Sequence, residues 1–318
     1  MAAEVQPSSD SAREPGAAAP GVGARSPATL ADAVVETIAY SDLFDYPLTS
    51  QEIHRYLSGV PASLSAVEAL LDDGRLIAQR LERTGAFYTL PGRSPIVEIR
   101  RRRARVATGL WAKAVAYGAQ IAKLPFVRMV AVTGALAVDN SDADDDLDYL
   151  IVTEPGRLWL CRALVIGLVR LAQRRGDVIC PNYFLSERAL TLDSRSLYTA
   201  REVAQMVPLT GLPIYHRLRQ FNGWVETYLP NAAGAPRESR LTEPAPSPVR
   251  AAAEAVLRMR PAGALESWEM RRKIRKLLAE HGAKGADEAS FGPEYCKGHF
   301  GGYGTKTLAA FSYRTVVS

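Results

Sequence analysis

Asp146 and Asp148 are the residues of this 318-residue chain whose type and spacing point most directly to chemistry. They open the run Asp146-Leu147-Asp148-Tyr149-Leu150-Ile151-Val152. Its apolar character predicts a strand, on which residues two apart leave the same face, so both carboxylates project together. A second apolar run ends upstream in Gly134-Ala135, and residues 136–145 lie between. Two carboxylates beside a glycine turn suit hard metal ions held against a phosphate. The glycine allows a tight turn and close approach of backbone to a ligand.

Two plainer readings compete. Asp142, Asp144, Asp145 and Asp146 can be a solvated acidic loop. That reading leaves Asp148 unexplained, because an unpaired charge inside an apolar strand is costly. A calcium loop starting at Asp142 fails, with Leu147 where the turn needs glycine and Thr153 where it needs glutamate.

The elements around the aspartates read as α/β. Strands are expected over Arg128 to Thr133, Asp146 to Thr153 and Val178 to Leu185, with a core helix over Arg157 to Arg174 after the Glu154-Pro155-Gly156 break. Glycine, a small residue, an interval of ten and then Asp-Leu-Asp-Tyr resembles the signature of the nucleotidyltransferase superfamily related to DNA polymerase β. Strings such as DLFDYPLT, PGRLWL and LYTAREVAQM resemble bacterial proteins with such domains. The resemblance implies a mixed sheet with flanking helices and transfer of a nucleoside monophosphate from an NTP to an acceptor, which it leaves unidentified. It implies that Asp146 and Asp148 are catalytic ligands of Mg²⁺ or Mn²⁺, and that Gly134 and Ala135 form the nucleotide-binding turn. A helix after Gly134 would aim N–H groups at the triphosphate.

Two departures bear on activity. Family members usually carry serine or glycine where this chain has Ala135, and a lost hydroxyl contact costs about 1 kcal/mol. Active members also place a third carboxylate on a later strand. The matching strand here offers Asn182 in its middle, with Asp177 before it and Glu187 after it. Asparagine can coordinate through its carbonyl but is no base.

The rest of the chain reads as support. Residues 1–28, rich in Ala, Pro, Ser and Gly, are expected to be a disordered tail. Residues 29–93 read as three helices and a hairpin, the winged-helix order. Capping boxes are expected at Thr49 to Glu52 and Ser65 to Glu68, and strands over residues 76–81 and 86–90. The third helix carries Glu68, Asp72 and Asp73, which disfavours DNA contact and favours a packing or protein-binding module. Residues 94–124 read as one long helix with arginines at 100–103 and 105, suited to a connecting, solvated face more than to gripping nucleic acid. The nucleotidyltransferase-like domain with its helical extension is placed at 125–231, a linker at 232–248 and a helical segment with tail at 249–318. Cys296 and His299 have zinc-like spacing without a second pair. His54, His216 and His281 stand alone in helical patterns.

Composition is that of a globular protein, with 47% hydrophobic residues and a net charge of +5. Three scattered cysteines argue against a disulfide framework and for the cytoplasm. The most apolar run, Leu158 to Leu171, is too short and too charged for a bilayer span. Two functions follow: a metal-dependent nucleotidyltransferase, or a degenerate nucleotide sensor reporting through residues 29–93. A carboxylate of Asp177 or Glu187 beside Asp148 would favour the enzyme, and Asn182 alone there would favour the sensor.

Overall fold

The computed structural model describes residues 29–237, 245, 247–281, 290–298 and 303–317. The tail at 1–28, residues 238–244 and 246 of the linker, and His299 lie outside the described residues.

Residues 29–93 form α1 (Leu30–Asp42), α2 (Ser50–Arg55), α3 (Leu64–Asp72), α4 (Arg75–Gln79), β1 (Glu82–Thr84) and β2 (Phe87–Thr89). The box at α2 forms: the Thr49 hydroxyl accepts from the Glu52 N–H, and the Glu52 carboxylate accepts from the Thr49 N–H. At α3 the cap is Ser63 rather than Ser65, which lies inside the helix. The stretch expected as a first strand begins as α4 instead. Gly74, at φ 75°, lets the chain leave α3 and start a new turn that buries Leu76. The hairpin's first strand is the Glu82-Arg83-Thr84 segment expected as the turn, and Gly85 makes the turn at φ 63°. Val34, Ile38, Leu48, Ile53, Leu57, Val67 and Leu71 give this region its own core.

The long helix α5 (Ile96–Ala122) leads to β3 (Val127–Val132), the single turn α6 (Gly134–Ala137), β4 (Leu147–Thr153), α7 (Leu158–Gln173) and β5 (Ile179–Ser186). Then follow α8 (Leu197–Gln205), β6 (Val207–Thr210), α9 (Leu212–Phe221) and α10 (Val225–Tyr228). The four-residue β6 lies in the part expected as a helical extension, and its Pro208 fits an edge strand. The C-terminal part comprises α11 (Pro248–Leu257), α12 (Arg260–His281), β7 (Ser290–Phe291), β8 (Tyr295–Lys297) and α13 (Tyr303–Val317). Its two short strands, in a segment expected as helix and tail, complete the sheet.

The architecture is α+β, with a mixed six-strand sheet in the order β6-β3-β4-β5-β8-β7 and helices on both faces. β4 and β5 run parallel, and the other neighbours are antiparallel. Alternation divides the strands cleanly. Val130, Val132, Tyr149, Ile151 and Phe184 pack under α5 and α7, while Met129, Ala131, Leu150, Val152 and Leu185 face α8, α9 and α13. Asp148 therefore leaves the sheet on the α8 side, as Leu150 does. Among the described residues no helix is long and apolar enough to cross a membrane.

The arginines at the start of α5 are stitches. Arg100 is buried, pairs with Glu52 at 2.7 Å and lies over the Tyr46 ring at 3.7 Å. Arg102 and Arg103 hold Asp142, and Arg103 also donates to the Phe44 carbonyl. Arg105 stays exposed. At the other end of the sequence, Glu266 of α12 accepts from the Trp159 and Leu160 N–H groups at 2.7 and 2.8 Å. It caps α7, which has no side-chain cap of its own.

Candidate functional site

The site lies at the ends of β3 and β4. Thr133 and Gly134 follow β3, and the Thr133 N–H donates to the Asp148 carbonyl at 3.1 Å. Gly134 has φ 65°, and a Cβ there would lie 2.3 Å from Asp148 Oδ2. Only glycine satisfies both the backbone and the carboxylate packed on it. The helix after it is a single turn, ended by Val138 and Asn140 N–H groups that donate to the Ala135 carbonyl.

The acidic run divides by role. Asp142 pairs with Arg102 and Arg103, and its N–H donates to Asp145. The Arg103 guanidinium, helped by Arg102, holds the Asp142 carboxyl below its usual range against some burial. Asp144 and Asp145 are exposed. Asp146 falls just before β4 rather than inside it, yet it still lines the same cavity as Asp148. Burial, and next the Asp146 charge, push Asp148 up to about 8, opposed by the hydrogen bond from Asn182.

The third position departs from expectation. Register pairs Asp148 with Cys180, and Leu150 with Tyr183. One residue of β4 therefore faces two of β5, Pro181 and Asn182, in a bulge. Proline has no N–H to give the ladder, so the bulge suits it. The bulge lets the Asn182 amide donate to Asp148 Oδ1, while the Cys180 thiol donates to Asn182 Oδ1 at 2.6 Å. Ligand atoms of Asp146, Asp148 and Cys180 all lie within 4.8 Å of one another. Burial, then the Asp148 and Asp146 charges, hold the Cys180 thiol well above its ordinary range, so it stays protonated.

The other two candidates point elsewhere. Asp177 binds Lys113 at 2.7 Å and the Tyr117 hydroxyl at 2.6 Å on α5, and these bonds hold its pKa down. Glu187 pairs with Arg217 at 3.1 Å. Neither is among the residues lining the cavity, and Asn182 is what meets Asp148.

The cavity has a volume of about 520 Å³. Gly134, Ala135, Asp146, Asp148, Cys180 and Asn182 form one wall, and Arg201 and Glu202 of α8 line it too. Tyr40, Phe44 and Tyr46 from the N-terminal region supply another part. Burial pushes the Glu202 carboxyl up to about 7, with Lys297 pulling the other way. Sequence reasoning missed Cys180, Arg201, Glu202 and these aromatic residues. A signal existed for Arg201, which continues the Leu197, Ala200, Ala204 stripe on the buried face of α8. Cys180 shared the period-two pattern with Asn182, but the bulge between them is invisible in composition.

No family model matches the chain, and no curated protein or solved structure matches it.

Proposed function

We propose that the chain transfers a nucleoside monophosphate from an NTP to an acceptor, using Mg²⁺ or Mn²⁺ at Asp146 and Asp148. The observation carrying this reading is Gly134 folded against Asp148 in a cavity that Asp146 also lines. A glycine turn apposed to paired carboxylates suits the binding of a metal–triphosphate. The donor set fits such an ion: the two carboxylates are hard oxygen ligands, while the protonated Cys180 thiol is a poor partner for magnesium. The metal would neutralise phosphate charge and activate the acceptor oxygen. Asn182 orients Asp148 through its amide. Glu202 supplies a carboxylate that neither Asp177 nor Glu187 provides, and its raised pKa suits it to accept the acceptor's proton near neutral pH. Residues 29–93 act as a wall of the cavity and a packing module in this reading, and nucleic acid is not favoured.

One observation favours the second reading, a nucleotide sensor: an amide stands beside Asp148 where a third carboxylate would help hold the metal. Incubation with labelled NTPs, Mg²⁺ or Mn²⁺ and a panel of hydroxyl and phosphate acceptors decides between them. Label transfer or pyrophosphate release that vanishes in D146N/D148N supports transfer. Tight NTP binding without turnover assigns the sensor.

A further inference from the structure

Among the described residues, Arg201 is the least accounted-for buried charge. It is 2% exposed, and its Nε and Nη2 have no hydrogen-bond partner among the described residues. Rings surround it: its guanidinium lies 4.7 Å from the Tyr40 centroid and 5.0 Å from that of Tyr56. Burial lowers its pKa to about 10, with the nearby tyrosines opposing, so it is a cation at neutral pH. A buried, unpaired cation is expensive, and replacing such a group by an apolar chain is commonly neutral or stabilising. Packing alone therefore gives no reason for arginine here.

Position supplies one. Arg201 lines the cavity that holds Asp146, Asp148 and Gly134. Nε–H and Nη2–H lie on one edge of the planar guanidinium, the fork that meets two oxygens of a phosphate. The guanidinium carbon sits over the Tyr40 and Tyr56 rings, from α1 and the end of α2, and no described hydrogen-bond partner claims that edge. Both nitrogens sit within the cavity wall, so engagement takes a turn of the guanidinium toward the ligand.

We infer that Arg201 is the polyphosphate-binding cation of the cavity, gripping the nucleotide's phosphate chain with that unclaimed edge. The inference rests on the nucleotide reading above, and it gives the N-terminal region a direct part in substrate binding. One cavity then holds acid for the metal and base for the anion, and a metal–triphosphate satisfies both.

The test separates this inference from the metal reading by removing the metal. Inorganic tripolyphosphate is titrated calorimetrically, without divalent ions, into the D146N/D148N chain, in which the repelling carboxylates are gone. Binding is expected, and adding R201M weakens it at least about tenfold, the scale of a lost charge-assisted pair. Ligand-free R201M melts no lower than its parent. Equal affinity with and without R201M, or no binding in the parent, overturns the inference and leaves Mn²⁺ binding to the unsubstituted chain as a separate question. Should R201M not fold, the unsubstituted chain carries the test by NMR. The Arg201 ¹⁵Nε resonance, assigned by its loss in R201K, shifts on adding tripolyphosphate, and a fixed resonance overturns the inference.

Discussion

Two regions handle charge in opposite ways. Where α11 meets β3, Arg128 donates to Glu154 and Glu254, Arg250 holds Glu254 at 3.1 Å, and Arg258 holds Glu154 at 2.7 Å. The Phe126 N–H adds a bond to Glu254 at 2.9 Å. Acid and base interleave there until each is satisfied. In the cavity the carboxylates crowd one another, Asp148 beside Asp146, while Arg201 stands apart with donors unused. Burial opposes ionisation in both places, but it wins only in the cavity. Glu254 is pulled down to about 2 because hydrogen bonds outweigh its burial, whereas Asp148 rises to about 8. The first region is complete as it folds. The second holds buried charge that its own described residues leave unsatisfied.

The comparison breaks most visibly at Gly134. Gly134→Ala places a Cβ on Asp148 at positive φ, and it is expected to weaken Mn²⁺–ATP binding at least about a hundredfold by calorimetry while leaving the far seam intact. At the seam, Glu254→Ala leaves Arg128 and Arg250 facing an empty place, and urea unfolding should report a loss of about 3 kcal/mol. That variant should not alter Mn²⁺ affinity, and if it does the two regions are not independent.

Acid sharpens the contrast further. The depressed Glu254 pKa gives stability that is present above about pH 4, the unfolded value, and is lost as pH falls through about 2. The raised Asp148 pKa works the other way: its contribution is present below about pH 4 and is lost as pH rises through about 8. Thermal melts of metal-free Asp148→Asn should lack the decline between about pH 4 and 8, and Glu254→Gln should lack the acid one. The smallest effect belongs to exposed Arg105. Arg105→Ala should change stability by no more than about 0.5 kcal/mol, unlike Arg100→Ala in the same run.

How far the sequence spoke varies with how local each cause is. The α2 capping box, α7 and strands β3 to β5 were legible because caps and apolar runs act within a few residues. Residues 76–79 misled because their apolar run suits a short helix as well as a strand, and Gly74 decided between them. β7 and β8 were missed because two- and three-residue strands form only on a sheet edge already built. Asp146, Asp148, Gly134 and Ala135, singled out by spacing, line one cavity. Cys180, Arg201 and Glu202 were not singled out, since a bulge and a helix packed from elsewhere bring them in. Asp177 looked equally placed to serve, but α5 claims it.

Manganese titration by electron paramagnetic resonance at pH 8 tests the central claim most directly, because it asks whether the crowded carboxylates form a metal site. The unsubstituted chain is expected to bind one Mn²⁺ at the cavity, with affinity strengthened by ATP, and D146N/D148N to bind none there. Equal Mn²⁺ binding by both chains, or none by either, would contradict the account.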